Sequence, residues 1–265
     1  MDRIIQVGIN TYPSSPLSGC VNDVEDWREV FSRYDLGRDI SSVTDNDATT
    51  ENIRDLLGWA KSGPAAGDLV IFQYSGHGSQ VPDLNDEEAD KLDEIICPVD
   101  LDWDTKMITD DELNDWATSF PPDVKVIVIL DSCHSGTGTR NPHMLGGRSV
   151  RFLPPPEEVQ ARGRGRKNLH GFCRGSVHKV DMKHLLMAGC KSTQYSYDAW
   201  FDGRANGAFS YFATYLLKRQ PKRRPIKNIH RRAVRRLRRN GYDQKPQLEG
   251  PAEWLKQPLF QRLGA

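Results

Sequence analysis

Residues 124–136 read VKVIVILDSCHSG, and the reading of this stretch decides the fold. Val124 to Leu130 is almost wholly β-branched or aliphatic, the composition of a strand buried on both faces, as in parallel sheets covered by helices. The run stops abruptly at Asp131, Ser132, Cys133, His134, Ser135 and Gly136. A second run, Leu69 to Tyr74, stops the same way, at Ser75, Gly76, His77, Gly78 and Ser79. As neighbouring parallel strands the two bring Cys133 and His77 out at one carboxyl edge, where open α/β sheets carry their chemistry. Each residue also has a plainer reading taken singly, the cysteine as an inert buried thiol and the histidine as a turn residue. Two such strand ends, each followed by small residues that leave the side chain accessible, favour a nucleophile and its base.

The flanking sequence alternates between strand and helix, the signature of βαβ units with right-handed crossovers. Ile4 to Ile9 predicts the first strand. Val21, Val24, Trp27, Val30, Phe31 and Tyr34 recur at helical spacing, with Asp23 near the helix start, where a carboxylate serves as a cap or first-turn charge. A short strand near 40–43 precedes a helix capped by Thr49 or Thr50, whose face includes Ile53, Leu56, Leu57 and Ala60. Ile95 to Val99 reads as an edge strand or hairpin, and Thr109 to Leu113 as a capped helix start. A long irregular stretch at about 137–180 follows Gly136, rich in glycine, proline and arginine, and such loops are usually functional or disordered. Lys183 to Ala188 returns to the sheet, 189–209 reads as a surface crossing, and two amphipathic helices follow, the second over 226–239. Gln247 and Leu248 suggest a last strand. The expected whole is a single domain over 1–265.

Composition narrows the function. Thirty-six basic residues balance thirty-six acidic ones, so net charge points to neither nucleic acid nor membrane. The distribution is uneven: 83–115 holds 14 acidic and 2 basic residues, and 218–239 holds 12 basic and no acidic ones. These blocks read either as an ion-binding loop and a polyanion surface or as solvated, mutually complementary faces. Five cysteines without a CxxC pair or zinc spacing suit a reducing compartment, and the expected location is cytoplasmic, with no membrane segment. Asp100, Asp102, Asp104 and Asp111 fall faintly at calcium-loop spacing, but Thr105 stands where that loop needs glycine.

Several segments together resemble the catalytic domain of metacaspases, caspase-like cysteine peptidases. They are LSGCVND at 17–23, YSGHGS at 74–79, ITDDEL at 108–113, DSCHSG at 131–136, AGCKSTQYSYD at 188–198 and KPQLEG at 245–250. The resemblance implies a caspase-like α/β fold, a three-layer αβα sandwich around a central, mostly parallel sheet. It implies His77 and Cys133 as a catalytic dyad rather than His134, with the backbone N–H groups of Gly78 and Cys133 facing the substrate oxyanion. Asp23 and Asp131 match the carboxylates of the specificity pocket, which implies cleavage of peptides or proteins after Arg or Lys. No cofactor is required on this reading, although calcium is a possible activator, with Asp93, Asp110 and Asp111 as its ligands. Arg140 departs from that pattern, because it stands where a further acidic residue is expected. The chain is expected to be a monomer that binds no nucleic acid. It is expected to cut itself in the stretch after the nucleophile, where Arg140, Arg148, Arg151, Arg162, Arg164, Arg166 and Lys167 lie. The alternative is a catalytically idle caspase-like interaction module, or a calcium-responsive regulator.

Overall fold

The computed structural model of the chain describes residues 1–82, 92–133, 148–164, 182–191 and 193–264. In order these form β1 (Arg3–Gly8), α1 (Cys20–Arg33), β2 (Ile40–Thr44), α2 (Thr50–Lys61), β3 (Leu69–Ser75), β4 (Gly78–Pro82), β5 (Leu92–Ile96), β6 (Ile108–Thr109) and α3 (Asp110–Thr118). Then come β7 (Lys125–Asp131), β8 (Ser149–Val150), α4 (Glu157–Arg164), β9 (Leu185–Ala188), β10 (Tyr197–Phe201), β11 (Arg204–Gly207), α5 (Ala208–Arg219), α6 (Ile226–Arg239) and β12 (Gln247–Glu249). The main sheet has the order β12-β9-β7-β3-β1-β2, parallel except for β12.

The two apolar runs are its centre. Every residue of β3 and of β7 is buried, and alternate side chains go to opposite faces. Leu69, Ile71, Ile127 and Ile129 join Trp27, Phe31, Phe209, Phe212 and Leu237 of α1, α5 and α6 on one side. Val70, Phe72, Val126 and Val128 join Ile53, Leu57, Leu113 and Trp116 of α2 and α3 on the other. Each such side chain contributes roughly 1.5–3 kcal/mol when fully buried, so both layers are anchored on these two strands. The result is the expected three-layer αβα sandwich. Thr49 caps α2 by accepting from the Asn52 N–H, and Thr109 caps α3 by accepting from the Glu112 N–H. Among the described residues no helix is long and apolar enough to cross a membrane.

Two expectations fail. The stretch 189–209 is no surface crossing: β10 and β11 form an antiparallel hairpin, with Tyr197, Asp198, Ala199, Ala205 and Asn206 buried. Its turn is Asp202-Gly203, both at positive φ, the two-residue Asp-Gly turn whose twist suits a hairpin. That dipeptide between AWF and RAN was a legible signal. The stretch 137–180 is likewise not irregular throughout. Within it β8 pairs antiparallel with β10, and α4 packs Val159 into the core, while 134–147 and 165–181 lie outside the described residues.

Candidate active site

β3 and β7 pair in register with Ser75 opposite Asp131, so His77 and Cys133 each follow two residues beyond that pair at one carboxyl edge. Both are fully buried. The His77 ring lies against Tyr12, with centroids 4.5 Å apart, and its backbone N–H donates to the Tyr12 hydroxyl at 3.0 Å. Its Nε2 is 2.7 Å from the carbonyl oxygen of Ser15. A carbonyl can only accept, so Nε2 carries the proton and Nδ1 is the basic nitrogen. Cys133 Sγ sits against Ser196, accepting from its N–H at 2.5 Å and lying 3.2 Å from its carbonyl oxygen.

The cleft between these residues is filled by the chain itself. The carbonyl oxygen of Arg151 accepts from the N–H of Gly78 at 3.1 Å and from that of Cys133 at 3.0 Å. Two donors on one oxygen form the arrangement that stabilises charge developing on a carbonyl under attack. The Arg151 N–H donates to the Ser196 carbonyl at 3.0 Å. Its guanidinium is wholly buried among carboxylates: Nη1 is 2.8 Å from Asp23 and 3.4 Å from Asp131, and Nη2 is 2.8 Å from Asp198.

Each carboxylate is held by its own partners. Asp23 accepts from Asn206 Nδ2 and from the Gly207 N–H; it does not cap α1, whose N-cap is Gly19. Asp131 accepts from the Ser196 hydroxyl at 2.6 Å and from the Ser210 N–H at 2.9 Å, so it serves α5 as well as the pocket. Asp198 accepts from the N–H groups of Ser18 and Gly19. A methyl group on Gly207 would run into Asp131 Oδ2 and Arg151 Nη1, so the pocket wall there has no room for a side chain. Burial pushes the Asp23 carboxyl up to about 7, opposed by Arg151 and assisted by Asp131.

The sequence reading therefore placed His77, Gly78, Cys133, Asp23 and Asp131 on residues that the fold brings to one edge. It did not single out Asp198, Ser196, Asn206 or the Ser15 carbonyl. His134 and Arg140 lie outside the described residues.

The three aspartates expected to bind calcium lie apart from this pocket. Asp93 lies on β5 and Asp110 and Asp111 in the first turn of α3; Asp93 and Asp111 line an open groove with Glu112, Asp115, Arg54 and Lys61. Among the described residues no three His, Cys, Asp or Glu side chains form a group able to hold a metal ion. The calcium-loop spacing is also used otherwise. Asp102 accepts from the N–H groups of Asp104, Thr105 and Lys106, which hold its carboxyl well below the usual range, and Asp100 accepts from Thr50. Asp100 and Asp102 are thus engaged by donors of the chain itself.

A family model described as the metacaspase, peptidase C14 domain matches residues 3–142. The chain belongs to the metacaspase family. It is 30% identical to Metacaspase-1 of Cryptococcus neoformans var. neoformans serotype D, over 93% of this chain and 61% of that protein. It is 28% identical to Metacaspase-1 of Ajellomyces capsulatus, over 93% of this chain and 78% of that one. Among solved structures it is similar to protein GSU0716 from Geobacter sulfurreducens, with a TM-score of 0.71, 27% identity and 99% of both chains covered. This metacaspase chain thus spans about three fifths of the length of the Cryptococcus relative.

Proposed function

We propose that this chain is a cysteine endopeptidase that cuts after arginine or lysine, its own chain included, with Cys133 as nucleophile and His77 as base. One observation carries the reading: a guanidinium lies among three carboxylates while the carbonyl of the same residue accepts from the N–H groups of Gly78 and Cys133. An arginine side chain with a planar fork of donors suits such a pocket, and an acidic side chain would meet like charge there.

In the proposed reaction Nδ1 of His77 takes the thiol proton, and the thiolate attacks the carbonyl carbon. The negative charge that forms on the carbonyl oxygen is met by the two backbone donors, an interaction worth about 10²–10³ in rate per donor in comparable sites. The imidazolium then protonates the departing amine, and water hydrolyses the thioester. Ser15 positions the base, since its carbonyl fixes which ring nitrogen is free of hydrogen.

A peptide library assayed with wild type, Cys133→Ala and His77→Ala tests the reading, in calcium and in chelator. Hydrolysis after Arg and Lys is expected from wild type, none from Cys133→Ala, and a residue of activity at most from His77→Ala. Undiminished cleavage by Cys133→Ala, or a preference of folded wild type for Asp at P1, sinks it.

A further inference from the structure

We propose that the Arg151–Phe152 peptide bond is this chain's own scissile bond, held in place for cutting. The inference rests on the peptidase reading and deepens it by naming the substrate bond. The chain crosses the cleft as a docked peptide would. On the amino side of Arg151, β8 pairs antiparallel with β10, Val150 opposite Tyr197 and Ser149 opposite Asp198. On the carboxyl side, Phe152 bridges to Gly78, the Leu153 N–H donates to the Gly78 carbonyl at 3.0 Å, and the Ser79 hydroxyl donates to the Leu153 carbonyl at 2.6 Å. Strand-like pairing on both sides of one residue, with that residue's carbonyl on the two backbone donors, is how an extended peptide is held for attack.

Other basic residues of the same stretch are directed elsewhere. Arg148 donates to the carbonyls of Gly241 and Asn240 and lies over the Tyr242 ring at 4.0 Å. Arg162 donates to the Trp103 carbonyl and pairs with Asp104. Among the described residues of that stretch, Arg151 is the basic side chain in the pocket.

The step is a hydrolysis. Cys133 Sγ bonds to the Arg151 carbonyl carbon while its proton passes to His77. The carbon–nitrogen bond to Phe152 breaks, and the Phe152 nitrogen leaves as an amine with the proton from His77. Water then splits the thioester, leaving a carboxylate on Arg151 and restoring the thiol. The new end is then held by the pairing of β8 with β10 and by the carboxylates around its guanidinium, and its departure empties the pocket for other Arg or Lys peptides. While the bond is whole, the pocket is closed to them.

Intact mass, fragment termini and turnover of a fluorogenic Arg peptide test this on wild type, Cys133→Ala, Arg151→Gln and Phe152→Pro, each with calcium and with chelator. Fragments 1–151 and 152–265 are expected from wild type in at least one buffer. Cys133→Ala should stay whole, as should Phe152→Pro, whose tertiary amide keeps Arg151 in place and resists transfer. Peptide turnover should rise by at least about tenfold from whole to cut wild type, because the competent fraction rises. Wild type that hydrolyses the peptide with its 151–152 bond whole overturns the inference and leaves the peptidase reading standing. First cutting after Arg148 or another residue does the same. Whole, silent wild type beside an active Arg151→Gln makes Arg151 a plug and not a substrate, which also overturns it. No turnover by any variant in either buffer removes the peptidase reading and this inference together.

Discussion

Arg151 brings one positive charge into a pocket of three buried carboxylates, so two negative charges stand in excess if all are ionised. The structure relieves this at Asp23, whose raised proton affinity keeps it partly protonated near neutrality. Its carboxyl holds a proton in the folded chain that the unfolded chain has already lost between the ordinary value of 3.8 and about 7. Stability from this group is therefore full below 3.8 and falls as pH rises toward 7, by up to about 1.4 kcal/mol per pH unit. Denaturant titrations of wild type and Cys133→Ala beside their Asp23→Asn forms should show that difference, with a flat difference above 7; a difference that grows with pH in the window contradicts the assignment. Asp198 gives a second prediction. A charged hydrogen bond contributes about 1.5–3 kcal/mol, so Asp198→Asn should lower kcat/KM for Arg peptides by roughly 10–150-fold, mainly through KM. An unchanged KM with lost kcat would make Asp198 part of the chemistry and not of the pocket. Asp23 and Asp131 were legible because each stands in a short motif with other informative residues. Asp198 was not, because its pocket partner Arg151 is 47 positions away and the hairpin that carries it reads in sequence as a surface crossing. Arg151 looks like the other basic residues of its stretch, and what separates it is register with β10, which composition does not carry.

At the scale of elements, strength of pattern separates what was read from what was not. β3 and β7 were legible as largely apolar runs, and α1, α2 and α5 as helical periodicities whose faces fill the two cores. β8 has two residues and β11 has four, too short for alternation to rise above chance, and only the Asp-Gly turn marked the hairpin. α6 was read correctly as a helix burying Ile229, Ala233 and Leu237, but its arginines do not use the acidic 83–115 block as expected among the described residues. Arg232 donates to Gln220, Arg231 to Asn228, and Arg236 lies over the Tyr215 ring. The neighbouring ion pairs lie off this helix: Lys218 of α5 pairs with Asp26 and Glu29 of α1, and Lys222 with Asp35 in the segments that follow those two helices. Exposed contacts of this kind are each worth about 0–1 kcal/mol and are screened by salt. Replacing Arg231, Arg232, Arg235 and Arg236 by glutamine should therefore leave peptide turnover within about twofold and stability within roughly 1–2 kcal/mol. RNA binding that persists at physiological salt and vanishes in that variant would assign the helix a partner instead.

At the scale of the whole molecule, the central strand β7 has buried ionisable side chains at both ends, Asp131 at the site and Lys125 at the far end. Lys125 opens β7 and is fully shielded from solvent; its Nζ donates to the Gln261 carbonyl at 3.0 Å and lies 5.6 Å from the Trp254 ring centroid. The lysine thus fastens the carboxyl-terminal tail beneath the strand that carries Cys133 at its other end. Burial pushes the ammonium from 10.5 down to about 8, since charge is costly away from water and one carbonyl and one ring replace its hydration only in part. The sign follows from proton counts. Between about 8 and 10.5 the unfolded chain holds a proton that the folded chain has released, so this group's contribution to stability rises with pH through that window. Other groups move the opposite way in alkali, among them Cys97, whose thiol is raised by burial, so the wild-type curve alone does not isolate the lysine. The difference from Lys125→Met does. Methionine keeps the unbranched length without the charge, and the variant's stability relative to wild type should decline by up to about 1.4 kcal/mol per pH unit from pH 8 to 10.5. A difference that stays constant across that range would mean that Lys125 remains charged in the folded chain, with hydration that its buried position does not provide.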